Sequence, residues 1–87
     1  MSRWTPCKRR DFIQRLRLWP VRPTGWKRQL GFDGPFIGTR HQFMAYQKHR
    51  LTIPSNSEYS VPQLRMMIRE AEDILEHEIT LAEWNQL

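Results

Sequence analysis

The residues best suited to chemistry lie in the short run Gly38-Thr39-Arg40-His41. An imidazole titrates near neutral pH and can take or give a proton, and the guanidinium group of Arg40 can hold a phosphate. RNA carries its own nucleophile, the 2′-hydroxyl group, so a protein that cleaves RNA needs a base for that proton and cations for the phosphate. His41 is therefore the candidate catalytic residue, as general base or general acid. A structural or solvated role is the alternative for a lone histidine.

The other two histidines fit a catalytic role less well. His49 is near His41 in sequence and could protonate a leaving group, but a strand position close to a turn is the simpler interpretation. His77 lies between Glu76 and Glu78 at the end of a predicted helix, where a cation meets the helix dipole favourably, so we expect a structural role. Three dispersed histidines do not form a metal-ligand pattern. We predict no metal and no cofactor.

Positive charge is concentrated in the first half of the chain. Residues 1–50 hold twelve Lys and Arg against two Asp, whereas residues 51–87 hold two Arg against seven acids. A polyanion gains free energy at clustered cations because condensed counterions are released, so the asymmetry indicates a nucleic-acid-binding surface. A basic surface in contact only with solvent is the alternative. The cations expected to hold RNA phosphates, chosen by their position in the sequence, are Lys8, Arg9, Arg10, Arg40, Lys48 and Arg50.

Length and composition limit the class of protein. Eighty-seven residues allow one domain with a modest core, which we predict to span residues 1–87. Cys7 is the single cysteine, which excludes an internal disulfide and favours a reducing compartment. No apolar run approaches the length of a membrane span, and no signal-peptide core follows the N-terminus. We expect a cytoplasmic protein without a membrane partner.

The first predicted helix runs from Cys7 to Leu18, because apolar residues recur at helical spacing among basic ones. Thr5 and Pro6 would supply the N-cap and the first helical residue. A segment rich in Pro and Trp, residues 18–28, then breaks the pattern. A short helical turn over Trp26–Leu30 would end at Gly31.

Three strands are predicted next, over residues 34–38, 41–46 and 49–53. A tight turn at Gln47-Lys48 would place one set of side chains on the same face of the last two strands and another set on the opposite face. The first set is Met44, Tyr46, Leu51 and Ile53, and the second is His41, Phe43 and Ala45. Four aromatic residues could stack on bases, although core positions are the simpler interpretation: Trp19, Trp26, Phe43 and Tyr46.

Two further helices complete the chain. Ser60 and Gln63 form a capping-box pattern before a long amphipathic helix, and Thr80 and Glu83 repeat it before a short one, after a break near His77. The fold class is therefore α+β, a three-stranded antiparallel sheet covered on one face by the first and long helices. The predicted core is Phe12, Ile13, Leu16, Met44, Leu51, Ile53, Leu64, Met67, Ile68 and Ile74.

Several of these segments, taken in order, resemble the HicA-type toxins of type II toxin-antitoxin systems. They are Cys7-Lys8-Arg9-Arg10-Asp11-Phe12-Ile13, Leu30-Gly31-Phe32, Gly38-Thr39-Arg40-His41-Gln42-Phe43-Met44, His49-Arg50-Leu51-Thr52-Ile53-Pro54 and Tyr59-Ser60-Val61-Pro62 with the helix that follows. The resemblance implies an α-β-β-β-α fold like that of a double-stranded-RNA-binding domain. It also implies metal-independent cleavage of messenger RNA (mRNA interferase activity), catalysis by His41, and neutralisation by a HicB-type antitoxin.

The chain departs from the family pattern in the Pro/Trp insertion at residues 18–28. A looped-out insertion is tolerable, because closing a longer loop costs little free energy, whereas displacement of the first helix would affect RNA docking and antitoxin binding. A degenerate toxin that folds without cleaving RNA is therefore one alternative. The others are a non-catalytic RNA-binding module that uses the same basic face, and a protein-interaction domain whose basic half meets an acidic partner.

Overall fold

The computed structural model describes residues 3–19 and 31–87. In chain order, its elements are β1 (Cys7–Lys8), α1 (Arg9–Leu18), β2 (Asp33–Ile37), β3 (Gln42–Tyr46), β4 (His49–Ile53), β5 (Glu58–Tyr59), α2 (Val61–Leu75) and α3 (Leu81–Gln86). Strands β2, β3 and β4 form an antiparallel sheet with β3 in the centre, and β1 pairs with β5. The predicted α+β class, the α-β-β-β-α order and the short C-terminal helix are confirmed.

The first helix begins later than the sequence pattern predicts. Cys7 and Lys8 pair with the two residues of β5, and Lys8 occupies the N-cap position with extended backbone and no capping hydrogen bond from its side chain. The prediction that Thr5 and Pro6 start the helix was therefore wrong. Cys7 is buried, and its extended backbone in the ladder to β5 is incompatible with a helical turn at this point.

Helix α1 packs on the core through Phe12, Ile13 and Leu16. Residues 20–30 lie outside the described residues, but the chain on either side of them meets at the end of α1. Trp19 is fully buried, and the backbone N–H of Phe32 donates a hydrogen bond to the carbonyl oxygen of Leu16 at 2.9 Å. A Cβ atom on Gly31 would lie 2.5 Å from the carbonyl oxygen of Trp19, so only glycine fits this approach.

Because these two ends adjoin, a variant with two glycines in place of residues 20–30 is expected to keep the fold. Shortening the loop lowers the closure cost by roughly 1 to 2 kcal/mol, so the denaturation midpoint, followed by circular dichroism, should be unchanged or slightly higher. Loss of cooperative unfolding would instead show that this segment supplies essential contacts. The predicted helical turn over Trp26–Leu30, and Trp26 itself, lie outside the described residues.

The β3–β4 hairpin has the predicted register. Met44 lies opposite Leu51, and Tyr46 lies opposite His49. The turn falls at Gln47-Lys48, where Gln47 adopts a left-handed φ of 54°. Since side chains alternate along a strand, one face of the hairpin joins the core and the other faces away from the helices.

Strand β2 contains a bulge that changes which way its later residues face. Asp33 pairs with Ala45, but Phe36 pairs with Phe43, so one extra residue is accommodated between the two pairs. Gly34 lies within the bulge with φ +123°, a conformation that glycine adopts without a Cβ penalty. As a result, Phe36 shares the face of Phe43, away from the helices.

Helices α2 and α3 begin at their predicted caps. The hydroxyl of Ser60 accepts a hydrogen bond from the backbone N–H of Gln63 at 3.4 Å, and that of Thr80 accepts from the N–H of Glu83 at 3.2 Å. The predicted core residues are buried, apart from Ile74, which is partly buried against the cluster. The cluster also contains Cys7, Trp19, Phe32, Tyr59, Ala71, Ile79 and Trp84. No helix within residues 3–19 and 31–87 is long and apolar enough to cross a membrane.

Candidate active site

His41 lies at the end of the β2–β3 hairpin. Ile37 pairs with Gln42, and the backbone N–H of Gly38 donates to the carbonyl oxygen of His41 at 3.1 Å, which leaves Thr39 and Arg40 at the tip. Strand β3 thus starts one residue later than predicted, because His41 belongs to the bend. The side chains of both Arg40 and His41 are exposed, so the imidazole and the guanidinium group are both open to a ligand from solvent.

Gly38 allows this tight approach of the two strands. A Cβ atom at this position would lie 2.4 Å from the carbonyl oxygen of His41 and 3.3 Å from Cδ1 of Phe43. The first contact is with backbone, which can move away only if the hairpin shifts. Glycine at position 38 therefore permits the backbone hydrogen bond that holds the carbonyl group of the candidate catalytic residue.

We expect Gly38→Ala to lower the free energy of unfolding by about 1 to 3 kcal/mol, as overpacking does, and to reduce any RNA cleavage that depends on His41. Urea denaturation measures the first effect and an RNA cleavage assay measures the second. Thr39→Ala is the matched control, since Thr39 is exposed and should tolerate the change. Equal stability and activity in both variants would contradict a positioning role for Gly38.

Arg9 connects the start of α1 to the same end of the sheet. Its guanidinium group donates hydrogen bonds to the side-chain oxygen of Gln42 and, from Nε, to the carbonyl oxygen of Pro54 at 3.3 Å. Gln42 directly follows His41 in the chain. Two predicted phosphate ligands far apart in sequence, Arg9 and Arg40, are therefore brought to the end of the sheet that carries the imidazole.

A buried tyrosine, Tyr59, shares a hydrogen-bond acceptor with Arg9. The hydroxyl of Tyr59 donates to the carbonyl oxygen of Pro54 at 2.7 Å, the same oxygen that accepts from Arg9. Burial raises the pKa of the Tyr59 hydroxyl above its ordinary value, although the nearby Arg9 opposes this shift. Burial also raises the pKa of the Cys7 thiol. Both groups are therefore neutral near pH 7, and Tyr59 acts as a hydrogen-bond donor that holds the Pro54 carbonyl in place.

Lys8 and Arg10 extend the positive surface from Arg9. Together with Arg9, Ser55, Ser57 and Glu58 they line an open groove beside the start of α1, where the helix dipole adds to the positive potential. The side chain of Arg10 is 79% exposed, and its Nε lies 4.0 Å from a carboxylate oxygen of Asp11. An ion pair this exposed leaves the guanidinium group largely open to another anion.

Arg50 reaches toward the candidate site, whereas Lys48 does not. Arg50 lies opposite Ala45, and its guanidinium carbon is 4.7 Å from the centroid of the Phe43 ring. Lys48 is in the turn at the other end of β3. Five strand residues at about 3.4 Å each separate that turn from the hairpin tip by about 17 Å, so Lys48 is too far to share a phosphate with His41.

The same argument separates the two strand histidines. His49 lies opposite Tyr46 beside the distant turn, so the structure does not place it where it could protonate a leaving group at His41. His77 lies beyond α2, where its Nε2 is 3.8 Å from a carboxylate oxygen of Glu83. The structural role expected of His77 stays a prediction.

The sequence pattern missed one exposed aromatic residue. Phe36 is 45% exposed, and its ring packs against that of Phe43 with centroids 5.6 Å apart. The dipeptide Gly34-Pro35 was the available signal, since glycine and proline inside a strand often mark a bulge. Of the other aromatics considered for base stacking, Trp19 is buried and Tyr46 is partly buried against the core.

This end of the sheet thus carries an exposed imidazole, the adjacent residue Arg40, and Arg9 bound to the side chain of Gln42, with a basic groove that continues along the start of α1. Within residues 3–19 and 31–87, no group of three or more His, Cys, Asp or Glu side chains is arranged to hold a metal ion. Comparison of the chain with protein-family models, with curated proteins and with solved structures gives no match.

Proposed function

We propose that this chain is an endoribonuclease, the RNA-cleaving toxin of a cytoplasmic toxin-antitoxin pair. The observation that supports this most is the position of His41 at an exposed hairpin tip, between Arg40 and Gln42 in the chain, with the side chain of Gln42 held by Arg9. An imidazole with cations at the same end of the sheet is the minimal set that RNA cleavage by the substrate's own hydroxyl requires. The resemblance to HicA-type toxins points to the same residue and the same reaction.

In the proposed reaction, the 2′-oxygen of a ribose attacks the adjacent phosphorus. The bond from phosphorus to the 5′-oxygen of the next nucleotide breaks, which leaves a 2′,3′-cyclic phosphate and a free 5′-hydroxyl. The 2′-hydroxyl loses one proton and the 5′-oxygen gains one, so the reaction needs no oxidant and no cofactor. His41 handles one of these protons as general base or acid, while Arg40 and Arg9 stabilise charge on the phosphate oxygens.

The basic groove would bind the RNA backbone on either side of the cleaved bond. Lys8 and Arg10 continue the positive surface away from Arg9, and each phosphate they neutralise releases condensed counterions. The proposed partners are therefore messenger RNA as substrate and, from the family resemblance, a HicB-type antitoxin that neutralises the toxin. RNA binding should weaken as the salt concentration rises.

The proposed function is tested with purified full chain and a labelled single-stranded RNA in excess chelator. We expect cleavage to continue in chelator, to yield 2′,3′-cyclic phosphate ends, and to fail at any position where the ribose carries a 2′-O-methyl group. Cleavage that stops in chelator, or that ignores 2′-O-methylation, would contradict the mechanism. Intact RNA that binds in a salt-sensitive manner would support the non-catalytic RNA-binding module instead.

A further inference from the structure

The three-stranded sheet has an outer face that the helices do not cover. We use the name outer sheet face for the surface formed by Asp33, Phe36, Phe43, Ala45, Arg50 and Thr52. Phe43 lies opposite both Phe36 and Thr52, and Ala45 lies opposite Arg50. The opposite face of the sheet supplies Met44, Leu51 and Ile53 to the core, so the outer sheet face is the one left to solvent.

Two aromatic rings and a guanidinium group lie together on the outer sheet face. The rings of Phe36 and Phe43 pack at an interplanar angle of 37°, with centroids 5.6 Å apart, and the Arg50 guanidinium group lies over the Phe43 ring. The ring of Phe36 is exposed, with 45% of the residue open to solvent. Aromatic rings and guanidinium planes are the groups on which unpaired nucleobases stack in single-stranded RNA.

The position of the aromatic pair favours RNA over a protein as the occupant. Phe43 is two residues from His41 along the same chain segment, a separation of about 7 Å, and the Phe36–Phe43 pair is the second rung from the hairpin tip. Arg50 lies over Phe43, and Arg40 is in the adjoining hairpin tip, so this end of the face carries positive charge. Asp33 is the acid on this face, and it lies at the far end of β2 opposite Ala45.

We propose that the outer sheet face is a stacking platform for unpaired bases of single-stranded RNA. Phe36 offers the open ring, Phe43 packs beside it, and Arg50 lies over Phe43. The sugar-phosphate chain of the stacked nucleotide leads to Arg40 and His41. The platform rests on the proposed function, and it specifies the substrate class as RNA with unpaired bases at the cleavage site. Duplex RNA would bind the basic groove without occupying the platform.

The platform is tested by binding, with probes that cannot be cleaved. Fluorescently labelled single-stranded 2′-O-methyl oligonucleotides are compared with oligonucleotides of the same length and charge that lack their bases. We expect Phe36→Ala to weaken binding of the base-containing probe about tenfold and to leave binding of the abasic probe unchanged. Phe36→Trp should retain the parent affinity, since it keeps an aromatic plane at this position.

The matched control is Met66→Ala. Met66 is an apolar residue on α2, 58% exposed, and its removal should not affect either probe. Circular dichroism checks that each variant is folded. If Phe36→Ala does not fold, the comparison of the parent with Phe36→Trp and of the two probes still tests the platform. Equal affinity of the parent for the base-containing and abasic probes would overturn the platform, as would equal affinity of the parent and Phe36→Ala for the base-containing probe.

The outcomes separate this inference from the proposed function. If RNA is cleaved through His41 but binding ignores Phe36, the platform is wrong and the endoribonuclease stands; a protein partner would then be the occupant to test. If base-containing probes bind through Phe36 and no RNA is cleaved, the platform stands and the endoribonuclease is wrong. If neither probe binds the parent, the platform is wrong, and the cleavage assay alone decides the endoribonuclease.

Discussion

Replacement of His41 by alanine is expected to slow RNA cleavage by about 100-fold to 10,000-fold, the usual contribution of a positioned general acid or base. The side chain is exposed at the hairpin tip, so its removal should leave the fold intact. RNA binding should change little, because the guanidinium groups of Arg9 and Arg40 remain. The experiment measures initial cleavage rates, and in parallel the affinity for the uncleavable probe.

His49→Ala is the matched control, since it removes an exposed imidazole from the same sheet at the far end of β3. The His49→Ala variant should cleave RNA at the parent rate. Added imidazole should partly restore cleavage to His41→Ala if the missing group is a proton carrier. A His41→Ala variant that cleaves RNA as fast as the parent would rule out the proposed mechanism.

Replacement of Trp84 by alanine should lower the free energy of unfolding by about 3 to 5 kcal/mol. Trp84 is 2% exposed, and its ring contacts those of Trp4, Phe12 and Trp19 with centroid separations of 6.5, 5.6 and 6.4 Å. Truncation would leave a cavity between α3 and α1. Because domains of this size are stable by only about 5 to 15 kcal/mol, this loss is a large fraction of the total stability, and the denaturation midpoint should fall well below that of the parent.

This second prediction is measured by urea denaturation, followed by far-ultraviolet circular dichroism because the substitution removes a fluorophore. Met66→Ala serves again as the control, since a surface substitution of this kind should change the free energy of unfolding by no more than about 0.5 kcal/mol. A Trp84→Ala variant as stable as Met66→Ala would show that α3 contributes little to the core.

The elements that could be predicted from the sequence are those with local signals. The caps at Ser60 and Thr80 depend on residues three positions apart, and the alternation around Gln47-Lys48 sets the hairpin register over a few residues. Strands β1 and β5 carry no such signal, since each has two residues and exists only because the other lies beside it. The start of α1 was misplaced for the same reason.

The candidate site likewise contains residues that a local sequence signal predicts and a contact that only tertiary packing creates. His41 and Arg40 could be predicted because they are adjacent in sequence and follow a glycine turn. The approach of Arg9 to Gln42 depends on how α1 packs against the sheet, which no local pattern encodes. Nearness in sequence was misleading for Lys48, because an extended strand carries neighbouring residues away from each other at about 3.4 Å per residue.

The β1–β5 pair also has a consequence for the order of folding. It joins Cys7 to Tyr59, so it can form only after most of the chain is present, whereas the hairpins that carry His41 and Arg50 close over short turns. Contacts between residues near in sequence form faster than contacts between distant ones. Closing a long loop loses more entropy, and this loss comes before the contact can stabilise the chain. The sheet that carries the candidate catalytic residue can therefore assemble first. Arg9 joins it only when β1 pairs with β5.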